Sequence, residues 1–199
     1  MTIRKGEEWG AADTVPAGVV TASNDAQIAS AWLLGSVPLL RGGNLHASLG
    51  SPVPGSAGDP CTRFTVDALE VSVLMEGHEA TVVAASEVVI GRWTRGEFFV
   101  VSANGRWSGL DIAPRAHPND GFLHVLSIPG GVGLRQRLEA RRRAVLGTHV
   151  PHPAIAVTRG DAFAAGNTSR RRLLVDGRDW GRWASVSVRV LPDHAEVLA

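Results

Sequence analysis

A chain of 199 residues with a formal net charge of +1 is long enough to bury one large core without a disulfide or structural metal. Its balanced charge offers no general polyanion surface, so no nucleic-acid partner is expected. The single Cys61 excludes an internal disulfide, and no run approaches the roughly 20 apolar residues that span a bilayer. The charged opening "MTIRKGEEWG" is unlike a signal peptide, so the expected location is cytoplasmic.

The elements follow in chain order. A short apolar run at Val15 to Thr21 leads to Ser23 or Asn24 as an N-cap, a helix over Ala26 to Leu34, and a second apolar run at Val37 to Leu40 that ends at Gly42-Gly43. This reads as a small βαβ-like unit. "GSPVPGSAGDP", Gly50 to Pro60, has the composition of a flexible connection, so the expected division is residues 1–60 and residues 61–199.

From Thr62 the period becomes two. Phe64, Val66 and Ala68 alternate, and then Leu69, Val71, Val73 and Met75. Further strands are expected at Glu79 to Ile90, Glu97 to Ala103, Phe122 to Ile128, Ile155 to Arg159, Leu173 to Val175, Ala184 to Leu191 and His194 to Leu198. One helix, Gly133 to Val145, puts Leu134, Leu138 and Val145 on one stripe among Arg135, Arg137, Arg141, Arg142 and Arg143. The expected fold is α+β and mostly β: a two-layered antiparallel sandwich-like domain with one main helix, preceded by the βαβ-like unit.

The sequence holds no G-x-S-x-G elbow, P-loop, H-E-x-x-H or C-x-x-C, which removes the usual support for hydrolase and zinc-peptidase chemistry. His117, His124, His149 and His152 fall near strand ends, as converging metal ligands or as hydrogen-bonded loop residues. Trp93, Trp107, Trp180 and Trp183 near turns suit core plugs or ligand stackers. Nearly all the positive charge is arginine, a coding bias or a device for phosphate. The group at 135–143, with Arg170 to Arg172, is a solvated face or a surface for phosphate or an anionic membrane. In "HPNDG", Asp120 precedes a glycine that permits positive φ. A carboxylate beside inward-turned carbonyls is the hard-oxygen chemistry of Mg²⁺ or Ca²⁺, although Asn-Asp-Gly also serves as a plain turn.

"VVSANGRWSGLDIAPRAHPNDGFLHVLSI", Val100 to Ile128, resembles the C-terminal domain of the bacterial diacylglycerol kinase and lipid kinase family, which includes sphingosine kinases. It shares an Asn-Gly strand end followed by Pro114, Ala116, Asp120, Gly121 and Leu123. "GTHVPHPAI" and "LLVDGRDWG" resemble two later motifs of that family in the same order, so the resemblance spans residues 64–199.

The resemblance implies a two-layered antiparallel β structure, a lipid-binding cleft, and a structural Mg²⁺ or Ca²⁺ held by Asp120 with the carbonyls of His117 and Phe122. It places Asp176 where the general base toward the lipid hydroxyl would stand. It also likens "RGGNLHASLG" to a phosphate loop, with Gly42 and Gly43 kept, Asn44 in place of an Asp, and Leu45-His46 in place of Gly-Thr. Arg178 replaces a Glu of the nucleotide network and could bind phosphate but not a metal.

These departures lead to the expectation of a shortened, catalytically degenerate lipid-kinase-like protein that binds a lipid or phosphorylated ligand. It would be peripheral at an anionic membrane through its arginine helix, or homodimeric. The alternatives are an active ATP- and Mg-dependent lipid kinase, completed by a second chain, and a protein-interaction module.

Overall fold

The structure is a computed structural model and describes residues 9–53, 55–145, 155–167 and 171–199. The leading segment holds β1 (Ala11–Thr14), β2 (Thr21–Ala22), α1 (Asp25–Leu33), β3 (Leu39–Leu40) and α2 (Asn44–Ser48). β2 and β3 pair in parallel across α1. This is the expected βαβ unit, although the run from Val15 gives a strand only at its end. Asn24 caps α1: its Oδ1 accepts from the Gln27 amide at 3.0 Å while the Gln27 side chain accepts from the Ser23 amide.

The remainder comprises β4 (Pro60–Met75), β5 (His78–Ala84), β6 (Glu87–Arg92), β7 (Arg95–Ser102), β8 (Arg106–Trp107), β9 (Leu110–Asp111), β10 (Leu123–Ile128), α3 (Leu134–Ala144), β11 (Ala156–Gly160), β12 (Ala162–Gly166), β13 (Leu173–Val175), β14 (Arg178–Asp179) and β15 (Ser185–Leu198). One sheet runs β1-β4-β15-β3-β2, with β5 on β4 and β12 on β15. The other runs β11-β10-β7-β6-β13-β14. β3 pairs in parallel with Leu198 of β15, so the leading unit continues the first sheet. The Gly- and Pro-rich connection is pinned at its end, where Val15 and Asp59 share a backbone hydrogen bond of 2.9 Å.

The two sheets face each other over Leu69, Val71, Val73, Val88, Ile90, Val101, Leu123, Val125, Val186 and Val188. The second sheet is also covered on its outer face, where Val89, Phe98, Val100, Leu126 and Ile128 pack against Ala140 and Ala144 of α3. Strands buried on both faces read as continuous apolar runs, as "EVVI" and "FFVVS" do.

Three expectations change. The single strand expected over Glu79 to Ile90 is two strands in different sheets, because the chain crosses between layers at Ala85-Ser86. The two strands expected over Ala184 to Leu198 are one, broken in register between Leu191 and Ala195. That irregularity faces the place where the alternation of β4 changes phase, between Ala68 and Leu69, and Asp67 lies inside it.

The third change concerns α3. The stripe of Leu134, Leu138 and Val145 faces solvent, at 50%, 47% and 63% exposure, and Arg137 is the side chain that is fully buried. Its guanidinium donates to the carbonyls of Val132 (2.8 Å), Trp93 (3.0 Å), Pro129 (3.0 Å) and Gly96. Four carbonyls thus converge on one buried guanidinium, and satisfying that charge overrides the amphipathic pattern. Arg137 is therefore unavailable to a membrane or ligand, and Arg143 pairs with Glu139 at 3.0 Å.

Candidate functional site

The sequence-expected residues of the leading unit and the β domain meet at one junction. Asp176 and Gly177 have φ of 46° and 77° and form the tight turn between β13 and β14, where two positive φ angles suit an Asp-Gly hairpin. The turn aims the Asp176 carboxylate at the layer crossing. Oδ2 accepts from the Ala85 amide at 2.7 Å, and Oδ1 accepts from the Ser86 and Glu87 amides at 3.0 Å each. Burial pushes its pKa up to about 6; the amide hydrogen bonds oppose that rise and Asp25 adds to it. Both oxygens of the expected general base are thus engaged in holding the corner between β5 and β6.

The glycine loop is filled from within the chain. Asp25, in the first turn of α1, accepts from the Asn44 amide at 2.8 Å and the Leu45 amide at 3.0 Å. A Cβ on Gly42 would stand 2.6 Å from the Ser23 carbonyl, and one on Gly43, at φ 99°, 2.7 Å from Asp25 Oδ1. The two glycines let this loop close on the start of α1. Asn44 extends its Nδ2 to Glu87 Oε2 at 2.7 Å and accepts weakly from the Gly109 amide at 3.4 Å. Burial holds Glu87 well above the usual carboxylate range, with Asp25 and Asp176 adding to the effect, and burial also raises Asp25. Arg178 is exposed and donates to Ser30 Oγ at 3.0 Å, tying β14 to α1.

The turn at Asp120 is closed as well. Its Oδ2 accepts from the His117 amide at 3.2 Å and meets the His124 ring at 3.0 Å. Its Oδ1 accepts from the Phe122 amide at 3.0 Å, and the His117 carbonyl accepts from the Asp120 amide at 3.2 Å. A hard cation of the expected kind takes six or more oxygen ligands. Here the Asp120 oxygens and the His117 carbonyl already serve donors inside the protein, so these residues fit a hydrogen-bonded turn. Among the described residues no group of three or more His, Cys, Asp or Glu side chains is arranged to hold a metal. His149 and His152 lie outside the described residues, as does Arg170.

Sequence reasoning missed Asp25, Glu87 and Asp67. Asp67 is 1% exposed, is raised by burial, and accepts from the Gly121 amide at 2.7 Å and the Asp193 amide at 2.9 Å, which binds the Asp120 turn to the irregularity of β15. The signal was an acid inside an apolar strand, where a charge is kept only if it is paired. Asn104 and Gly105 are explained too. Asn104 Nδ2 donates to Ser86 Oγ at 3.0 Å, beside the same crossing, and a Cβ on Gly105, at φ 73°, would stand 2.5 Å from Ala116 Cβ.

Two facing sheets with an outer covering helix, joined edge-on to a βαβ unit through a carboxylate-rich seam, make a mostly β, sandwich-like fold. The model of the YegS C-terminal NAD kinase beta sandwich-like domain matches residues 63–199. This chain belongs to that family.

Among solved structures it is similar to a crystal structure of a diacylglycerol kinase from Bacillus anthracis str. Sterne. The TM-score is 0.53 at 10% identity, over 90% of this chain and 74% of that one. It also aligns with a second chain from that organism, described as a candidate diacylglycerol kinase. There the TM-score is 0.40 at 11% identity, over 65% of this chain and 38% of that one. At these identities the likeness is one of fold. No curated protein matches the sequence.

Proposed function

We propose that this chain is a lipid-kinase-like protein that binds a lipid or phosphorylated ligand without transferring a phosphoryl group. The observation that carries the reading is the Asp25 carboxylate on the amides of Asn44 and Leu45. Free amides at such a loop attract a phosphate; amides already held by a carboxylate do not, and the negative charge repels the incoming anion. Glu87 stands on the other side of Asn44, and phosphoryl transfer depends on positive, preorganised surroundings for the charge of its transition state. With Asp176 serving as a corner clamp and Arg178 tied to α1, the chain's own residues occupy the positions that chemistry would use.

The lipid side of the reading rests on the seam beneath α3. It is lined by Trp93, Trp107, Leu110, Ile112, Ala140 and Ala144 among others, and it closes around a void of about 10 Å³. The Trp93 Nε1 there is buried without a hydrogen-bond partner. A void of that size admits no acyl chain as the structure stands, and α3 presents only Ala140 and Ala144 to it.

Calorimetry with Mg-ATP should show no saturable binding at millimolar concentrations, and a short-chain diacylglycerol or its phosphorylated form should raise the melting temperature. Micromolar Mg-ATP affinity with diacylglycerol phosphorylation abolished by Asp176→Asn overturns the catalytic half. No thermal shift with either lipid overturns the binding half.

A further inference from the structure

A second concavity lies at the other end of β6, five residues or roughly 17 Å of strand from Glu87. It is a cleft of about 310 Å³ at the tip of the β6–β7 hairpin, lined by Arg92, Arg95, Arg171 and Arg172 with Glu97, Gly91 and Gly96.

Arg92 and Arg95 are directly paired across the hairpin, and like charges in that position destabilise a ladder. Neither side chain makes a hydrogen bond or close ion pair among the described residues, although Arg92 is near enough to Asp179 to help lower its pKa. The acids within reach are committed elsewhere: Glu97 to Arg171, and Asp179 to Arg172 at 2.8 Å. Four guanidinium groups thus face two carboxylates.

Two further features build the cleft. The register breaks between Gly91 and Arg92. Gly91, at φ 91°, has room only for hydrogen, since a Cβ would stand 2.4 Å from the Glu97 carbonyl. Such a bulge turns the next side chain off the ladder direction. Arg171 is 11% exposed at its side chain, and its Nε is buried with no partner. Glu97 and the Gly166 carbonyl hold the other guanidinium nitrogens, which fixes this positive charge as one wall of the cleft.

We propose that this cleft binds a phosphate monoester dianion, with Arg92 and Arg95 as its charged jaws. Guanidinium groups meet phosphate oxygens in paired hydrogen bonds, and a dianion matches the excess of two positive charges. The proposal deepens the lipid or phosphorylated-ligand reading by naming the polar end of the ligand. It needs neither the glycine loop nor the seam beneath α3.

The test is calorimetry of the full chain at low ionic strength with inorganic phosphate and with glycerol 3-phosphate, beside co-sedimentation with phosphatidylcholine vesicles with and without phosphatidic acid. Saturable binding is expected. Arg92→Ala/Arg95→Ala should weaken it about tenfold or more, and the exposed Arg182→Ala should leave it unchanged. Binding of glycerol 3-phosphate without vesicle binding identifies a free phosphate ester as the source of the group, and Arg92- and Arg95-dependent vesicle binding identifies a lipid head group. The proposal is overturned if none of the three probes binds, or if the double variant, folded by circular dichroism, binds as tightly as wild type. If glycerol 3-phosphate binds while neither lipid shifts the melting temperature, the lipid reading fails and the cleft stands.

Discussion

Substituting Asn44→Asp puts a carboxylate at the centre of the junction, which predicts that the change harms the fold. The Nδ2 bond to Glu87 Oε2, 2.7 Å long, disappears; a hydrogen bond to a charged group contributes about 1.5–3 kcal/mol. In its place two carboxylates meet. At about 4 Å and an effective dielectric constant of 20, their repulsion is about 4 kcal/mol if both stay ionised. Glu87 is already held well above the usual carboxylate range, so it takes up a proton and limits that cost. The net loss at pH 7.5 should be about 2–4 kcal/mol. The pair's folded-state pKa lies above its unfolded value, so the penalty is largest above the folded pKa and shrinks as the pH falls through it. Urea unfolding at pH 7.5 and 5, read as midpoint at constant slope, measures both. Glu87→Gln in the same background should recover most of the loss. An Asn44→Asp protein as stable as wild type at pH 7.5, or a deficit indifferent to pH, refutes the reasoning.

Asp176→Ala removes the acceptor of three amides at the layer crossing and should cost about 2–4 kcal/mol in urea; a loss below about 1 kcal/mol would show that the carboxylate is not a clamp. Because its folded pKa of about 6 exceeds the unfolded value near 3.8, its proton is held more tightly in the folded state. That contribution is full below about pH 4 and is lost as the pH rises through 6. Wild type should therefore be more stable at pH 5 than at pH 7.5 by about 1.4 kcal/mol, and Asp176→Ala should show a smaller difference. Arg137→Met leaves four carbonyls without their buried donor and should cost about 3–5 kcal/mol, with faster amide exchange at the tip of the β6–β7 hairpin; an unchanged melting temperature would contradict the burial of its charge.

Much of the architecture is local and therefore legible in the chain. Alternating apolar residues have one way to bury a face, so the strands around Leu69, Val100 and Val188 follow from period two, and even the phase slip at Ala68-Leu69 marks the irregularity opposite Leu191 to Ala195. The Asn24 cap and the Asp176-Gly177 turn are likewise set by residues within a few positions of each other. The motifs around Asn104 to Leu123 and at Asp176-Gly177 indicated the family for the same reason, since they are turns and corners of its β domain.

Tertiary structure alone decided what those residues do. Nothing near Gly43 in sequence shows that Asp25, nineteen residues before Asn44, takes the loop amides, or that Asp176 reaches back 91 positions to Ala85. The periodic pattern of α3 pointed its leucines inward, but helix periodicity gives only the angle between faces. Carbonyls of the hairpin tip and of the segment leading into α3 converge on one buried guanidinium, and those bonds turned Arg137 to the core and the leucines to water. Hydrophobic pattern is a property of neighbours along the chain, whereas a buried polar group is settled by whichever distant partner satisfies it, and the candidate site is made almost wholly of such pairings.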